Sequence, residues 1–130
     1  MSPDFDVVIV GAGVAGLYQI YKIKNMGLRV KCLETAPKIG GTWYWNRYPG
    51  ARFDSESWTY GYSFSRELLD EWNWTEDFAP QPETEKYLNY VADKFNLKQC
   101  IDFNTKVISA KYDESNDFWI IKTESGKIYT

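Results

Sequence analysis

The sequence predicts an α/β fold, and three observations support this prediction. An apolar, β-branched run at residues 5–10 (FDVVIV) is followed at once by a glycine-rich turn, GAGVAG. Apolar side chains then recur at helical spacing over residues 17–26, and a second strand is predicted at residues 29–34 (RVKCLE). A strand, a tight turn, a helix and a second strand in this order form one βαβ unit with parallel strands.

Each element of this unit has its own local signal. The nearly continuous apolar run at residues 5–10 is typical of a strand that is buried on both faces of a parallel sheet. The helix carries its apolar residues on one stripe, and Gly27 supplies a residue at which a helix readily ends. The second strand is predicted at residues 29–34. Because a helix then connects two parallel strands of one sheet, the crossover is expected to be right-handed.

The remainder of the chain predicts a long loop, two helices and a small antiparallel meander. Residues 35–65 are rich in glycine and aromatic residues, and loops of that length are usually functional. Residues 65–72 predict a short helix with a serine cap, and residues 81–97 predict a longer one with Pro82 in its first turn. Residues 106–130 read as three strands joined by DESND and ESG turns.

The parallel sheet is predicted to be incomplete. Only two segments qualify as buried parallel strands, whereas a doubly wound domain has about five or six. Residues 1–130 are therefore expected to be a fragment, the N-terminal part of a larger domain.

Composition narrows the possible functions. A length of 130 residues and a hydrophobic content of 44% suit one folded domain. The net charge of −3 argues against a nucleic-acid partner, and no apolar run reaches the roughly 20 residues of a membrane span. The absence of histidine argues against zinc hydrolases and Ser-His-Asp hydrolases. Cys32 and Cys100 lie in different segments and are expected to be free thiols in a reducing cytoplasm.

The glycine turn indicates a site for a dinucleotide. In this pattern the first glycine, Gly11, permits the tight turn, Gly13 lets the backbone approach a pyrophosphate, and Gly16 lets the helix pack closely on the strand. Glu34 ends the second strand 18 positions after Gly16, where a carboxylate accepts hydrogen bonds from ribose hydroxyls and repels a 2′-phosphate. The turn therefore predicts a Rossmann-like site for the ADP half of FAD or NAD. A plain glycine turn beside a surface glutamate is the alternative.

A second glycine pair, Gly40–Gly41, opens the segment GGTWYWNRYPGARFD at residues 40–54. The rings of Trp43, Tyr44, Trp45 and Tyr48 offer flat faces. Arg47 and Arg52 offer positive charge for phosphates or a carboxylate. The residues alone predict a loop that wraps a flat, partly anionic ligand.

The segments GGTWYWNRYPGARFDSES, YGYSFSRELLDEWNWTEDFAPQPE and YVADKFNL closely resemble the N-terminal region of Baeyer–Villiger monooxygenases. The resemblance runs from about residue 5 to the end of the chain. It implies an FAD- and NADPH-dependent flavoprotein that inserts one oxygen atom of O₂ next to the carbonyl of a small ketone, giving an ester or lactone.

The resemblance also implies roles for particular residues. The FAD pyrophosphate would lie against Gly11, Gly13, Ala15 and Gly16, the ribose against Glu34, the adenine against the backbone of Val107, and the remainder of FAD along Gly40, Gly41, Thr42, Trp43, Tyr44, Trp45 and Tyr60. Asp54 would be the catalytic carboxylate near the flavin, paired with an arginine from further along the chain. Arg52, Phe53 and Asp54 would also meet NADP.

Other aromatic and charged residues have simpler expected roles. Five aromatic residues are expected to belong to the core, namely Trp58, Tyr62, Phe64, Trp72 and Trp74. Arg47 is expected to be a salt-bridge partner if it does not contact the ligand.

The second GxGxxG and the FxGxxxHxxxW fingerprint of this family do not occur in the 130 residues. The NADPH-binding domain is therefore expected outside this chain, and the 130 residues alone are expected to be inactive. Two alternatives are a related flavin monooxygenase that oxygenates nitrogen or sulfur, and a non-catalytic nucleotide-binding remnant.

Overall fold

The computed structural model describes residues 2–130 as two small sheets with five helices around them. The elements are β1 (Val7–Val10), α1 (Val14–Asn25), β2 (Val30–Leu33), α2 (Thr42–Trp45), α3 (Ser57–Tyr60), α4 (Arg66–Glu71), α5 (Gln81–Lys94), a 3₁₀ turn (Lys98–Cys100), β3 (Ile101–Asp102), β4 (Val107–Asp113), β5 (Phe118–Thr123) and β6 (Ile128–Tyr129). The predicted α/β class, the βαβ unit and the antiparallel meander are confirmed.

The parallel sheet has the order β1-β2-β3. Strand β2 pairs with β1 from Val30 to Leu33, and Cys32 and Leu33 also pair with β3. The prediction of only two parallel strands was wrong, because the two residues of β3 show no alternation of their own. Backbone pairing with β2 makes them a strand.

The two faces of the parallel sheet are covered by different elements. Helix α1 covers one face, where Leu17 and Ile20 are fully buried in a core that includes Ile9 and Cys32. The meander covers the other face, where Leu33 packs with residues of β5 and β6 in a second, smaller core. Neighbouring residues of β2 therefore point into different cores, as expected for a strand.

The two predicted helices downstream are confirmed with small shifts of their ends. Ser65 caps α4 by accepting a hydrogen bond from the Leu68 amide at 3.2 Å. Helix α5 carries Pro82 in its first turn and ends at Lys94, three residues before the predicted end. It ends there because Phe95 leaves helical geometry and Asn96 adopts a left-handed conformation, with φ of 53°.

The long loop is less irregular than predicted, because it contains the single-turn helices α2 and α3. Four of the five predicted core aromatics pack against the larger core, namely Tyr62, Phe64, Trp72 and Trp74. The prediction for Trp58 was wrong. Trp58 lies on α3, whose buried residue is Ser57, and 76% of Trp58 is exposed.

Asp102 joins the two sheets by polar contacts. Its carboxylate lies 3.0 Å from Lys31 Nζ and accepts a hydrogen bond from Tyr129 Oη at 2.6 Å. Burial pushes the pKa of Asp102 up, but the hydrogen bonds from Tyr129 and Lys31 outweigh burial and hold that pKa below its usual value. Because the folded pKa is lowered, ionised Asp102 stabilises the fold above the unfolded pKa of about 3.9.

We expect Asp102→Asn to flatten the acid side of the stability profile. The free energy of unfolding of the unmodified protein should fall as the pH drops below about 4. The gap between unmodified protein and variant should therefore be widest near pH 7 and should shrink towards pH 3. Urea unfolding at several pH values measures this, with the exposed Asp93→Asn as control. A gap that does not change with pH would contradict the role given to Asp102.

Within residues 2–130, no helix is both long enough and apolar enough to cross a lipid bilayer.

Candidate nucleotide-binding site

A cleft of about 400 Å³ opens at the C-terminal end of β1. One wall is the glycine turn with the start of α1, and the other is the segment from Gly40 to Trp43, with Tyr60 beside it. The cleft brings together nine of the predicted site residues, namely Gly11, Gly13, Ala15, Gly16, Gly40, Gly41, Thr42, Trp43 and Tyr60. In open α/β sheets, ligands bind at this end of the strands.

The glycine turn is closed by direct backbone contact. Gly11 has φ of +98°, which side chains rarely permit. A methyl group at Gly16 would lie only 1.9 Å from the Gly11 carbonyl oxygen. The absence of a side chain at Gly16 therefore lets α1 begin directly against the end of β1.

The N-terminus of α1 presents free amides to the cleft. Gly13 is the N-cap and offers no side chain to the first amides, and the first turn contains no acidic residue. The first amides of a helix have no partner within it and carry a partial positive charge. This end of α1 is therefore suited to an anion such as a pyrophosphate.

The second glycine pair packs directly on the first turn. The Gly40 amide donates to the Ala12 carbonyl oxygen at 3.0 Å, and Gly40 and Gly41 have φ of 129° and 54°. A methyl group at Gly41 would lie 2.9 Å from the Cα of Gly13. The two walls of the cleft therefore meet backbone to backbone.

Glu34 lies behind the glycine turn and is 5% exposed. Its carboxylate accepts hydrogen bonds from the Ala12 amide at 2.5 Å and from the Ala36 amide at 2.8 Å. The alternative interpretation of Glu34 as a surface residue was wrong. The sequence had pointed only to ribose hydroxyls as partners, and Ala12, which bonds both Glu34 and Gly40, had no signal of its own.

Three aromatic residues of the predicted site form one cluster. The indole Nε1 of Trp43 donates to Tyr60 Oη at 2.7 Å, and the rings of Tyr60 and Phe53 are stacked at 4.1 Å. Trp43 and Tyr60 line the cleft, whereas Phe53 is buried behind them. Phe53 therefore supports the aromatic wall.

The other predicted site residues do not line this cleft. Tyr44 lies beneath the guanidinium of Arg47, Trp45 is 60% exposed, and Val107 packs beside Leu33 in the smaller core. The predicted salt-bridge role of Arg47 is confirmed, because its guanidinium binds the carboxylate of Glu85.

Arg52 and Asp54 lie beyond Phe53 on the surface. Arg52 binds Glu76 at 2.9 Å and donates to the Phe78 carbonyl oxygen at 2.9 Å. Asp54 is exposed and makes no hydrogen bond or ion pair with residues 2–130. The arginine is therefore held, whereas the carboxylate is available to another group.

The fold and the cleft together define a Rossmann-like dinucleotide-binding unit. In agreement, residues 9–72 match the model of the NAD(P)-binding Rossmann-like domain family. The chain is 46% identical to a Baeyer–Villiger monooxygenase of Pseudooceanicola batsensis, with 100% of this chain and 24% of the relative aligned. It is 42% identical to the phenazine N-monooxygenase PhzNO1 of Lysobacter antibioticus, over 97% of this chain and 24% of the relative.

Among solved structures, OTEMO in complex with FAD and NADP superimposes with a TM-score of 0.94 and 42% identity, over 99% of this chain and 24% of OTEMO. The chain is homologous to the N-terminal, FAD-binding portion of the Baeyer–Villiger monooxygenases. This confirms the predicted resemblance. The chain spans about a quarter of the length of these relatives.

Proposed function

We propose that this chain binds the ADP half of FAD in the cleft, as part of an FAD- and NADPH-dependent Baeyer–Villiger monooxygenase. The observation that carries the proposal is the contact between the two glycine loops beside the uncapped N-terminus of α1. Side chains at Gly13 and Gly41 would occupy the place where the two loops meet. The space and the free amides suit a pyrophosphate.

The proposed positions start at the walls of the cleft and extend beyond it. The pyrophosphate lies against Gly11, Gly13, Ala15 and Gly16, and the ribose lies towards Glu34. The Glu34 carboxylate has lone pairs left after the two amide contacts, because an ionised carboxylate offers about four acceptor positions. The backbone of Val107 is proposed to meet the adenine. In support, Thr105, two residues earlier, donates its amide to the Glu34 carbonyl oxygen at 2.9 Å, which brings this part of the chain close to Glu34.

The flavin end of the cofactor is assigned to the second wall. The segment Thr42–Trp45 runs along FAD, and Tyr60 makes a second contact. Asp54 is proposed to orient an arginine contributed by the remainder of the protein, and its lack of partners among residues 2–130 supports this role. Arg52 and Phe53 are proposed to meet NADP beside it.

When bound, FAD supplies the oxygen chemistry, using electrons from NADPH and one atom of O₂ to convert a ketone to an ester or lactone. The residues of this chain hold the cofactor and shield one of its faces from water. The NADPH-binding domain is assigned to the part of the protein outside residues 1–130. The two free thiols, Cys32 and Cys100, support a cytoplasmic location.

The test uses the full-length protein. We expect it to purify with bound FAD and to convert a simple cyclic ketone to a lactone with consumption of NADPH. Asp54→Ala should lower product formation about tenfold or more, because the field around the reacting atoms changes. It should change FAD affinity less than about threefold.

The exposed Glu114→Ala is the matched control and should leave both quantities unchanged. Protein without flavin would contradict the binding proposal. Normal turnover of Asp54→Ala would contradict the role of the carboxylate.

The second candidate is oxygenation of nitrogen or sulfur. The similarity to a phenazine N-monooxygenase favours it, because that relative aligns over nearly the same part of this chain. Product analysis with a ketone, an aromatic amine and a thioether separates the two activities. Bound nucleotide without any oxygenated product would favour a non-catalytic binding protein.

A further inference from the structure

The single-turn helix α2 is held at its C-terminal end by side chains. A helix of four residues cannot satisfy its last carbonyl groups internally. The Tyr44 carbonyl accepts from Arg47 Nε at 2.8 Å, and the Trp43 carbonyl accepts from Gln81 Nε2. The Thr42 carbonyl accepts from the Asn46 amide and also from Asn46 Nδ2, each at 2.9 Å. Two of these three donors, Arg47 and Gln81, share one further partner.

That shared partner is Glu85, one turn after Gln81 on α5. Its two oxygens lie 2.6 and 2.9 Å from the two terminal nitrogens of Arg47. One of them also accepts from Gln81 Nε2 at 3.0 Å. A single carboxylate on α5 therefore fixes both side chains that hold the end of α2.

The Glu85 carboxylate is shielded and charged. Its side chain is 18% exposed, and Gln81 is buried. Burial pushes the pKa of Glu85 up, but the hydrogen bonds from Arg47 and Gln81 outweigh it, so the pKa lies below its usual value. The bidentate contact with Arg47 therefore persists at neutral pH, and its planar geometry fixes the guanidinium direction.

The position of α2 matters for the cleft. Its Trp43 lines the cleft and donates to Tyr60, while the residue before α2, Gly41, touches Gly13. A small displacement of α2 would move the aromatic wall and open the contact between the two glycine loops.

We propose that Glu85 is a positioning residue that, through Arg47 and Gln81, holds the Thr42–Trp45 turn against the nucleotide cleft. The inference rests on the proposed function, because it makes FAD the ligand whose affinity depends on the turn. The Arg47 side chain of this ion pair is 48% exposed, and ion pairs that solvent reaches usually contribute little to stability. We therefore expect the main effect of Glu85 to fall on binding.

The experiment compares Glu85→Gln with Asp70→Asn in the full-length protein. Asp70 forms an ion pair with Arg66 on α4, and the two side chains are 62% and 87% exposed. Asp70→Asn therefore replaces a carboxylate by an amide, as Glu85→Gln does, but away from the cleft. FAD affinity is measured by fluorescence titration of the apoprotein, well below the unfolding temperature. Hydrogen exchange of the Trp45 and Asn46 amides, which close α2 onto Gly41 and Thr42, reports on the turn without flavin.

We expect Glu85→Gln to weaken FAD binding about tenfold and to accelerate exchange of these two amides about tenfold, with α5 unchanged. Asp70→Asn should change neither quantity. Faster exchange with unchanged FAD affinity would overturn the positioning role of Glu85, and so would an unchanged exchange rate. Neither result would contradict the proposed function. If the unmodified protein bound no FAD, the proposed function would fail and the link from Glu85 to affinity with it. Exchange would still show whether Glu85 holds the turn.

Discussion

Gly16→Ala is expected to destabilise the protein by about 3 kcal/mol, at the upper end of the usual range for an overpacked core site. The added methyl group would lie 1.9 Å from the Gly11 carbonyl oxygen. That oxygen belongs to the backbone, so no side-chain rotation relieves the clash. Either α1 moves away from β1 or the glycine turn changes shape. Urea unfolding at 25 °C measures the loss.

The matched control is Gly61→Ala. A methyl group at Gly61 would meet Tyr87 Oη at 3.4 Å, an ordinary contact, and Gly61 has an unstrained φ of −64°. The free energy of unfolding of Gly61→Ala should differ from that of the unmodified protein by less than about 1 kcal/mol. Equal stabilities of the two variants would show that the close approach at Gly16 does not govern the packing of α1.

Glu34→Ala is expected to cost about 3 kcal/mol of stability even without nucleotide. The substitution leaves the amides of Ala12 and Ala36 buried without acceptors, and an unpaired buried amide costs about 1–3 kcal/mol. Glu34→Gln should cost roughly half as much, because its one carbonyl oxygen still accepts from one amide while its NH₂ group faces the other.

The exposed Glu124→Ala provides the comparison, since among residues 2–130 its carboxylate meets only Lys106, at 3.4 Å. Thermal unfolding of the proteins without added nucleotide, with and without the substitutions, measures the effect. If Glu34→Ala lost affinity for FAD but kept the stability of the unmodified protein, the carboxylate would be a ligand contact alone. Its hold on the glycine turn would then be unimportant.

The sequence predicted those parts of the fold that depend on local pattern. The apolar run of β1, the glycine turn and the helical spacing of apolar residues in α1 were sufficient to predict the βαβ unit. The turn signals DESND and ESG were sufficient to predict the meander. Strand β3 was not predicted, because its two residues carry no pattern of their own and are a strand only through pairing with the distant β2. The helices α2 and α3 were not predicted, because a single turn is too short to show helical spacing of apolar residues.

The candidate site shows the same division. The glycines were predictable because backbone geometry restricts those positions to glycine. The partners of the charged residues were not predictable, because they are distant in the sequence. Arg52 binds Glu76, 24 positions later, and Arg47 binds Glu85, 38 positions later. The exposure of Trp58 likewise depends on the direction in which α3 faces.

The shared strand β2 ties the meander to the remainder of the chain. Cys32 faces the core beneath α1, and Leu33 faces the core beneath β5 and β6. The apolar face of the meander is therefore completed by a residue more than 70 positions earlier in the sequence. Residues 106–130 are consequently not a transferable module. If they were grafted onto another protein without β2, they would lose the surface on which they pack and would not be stable.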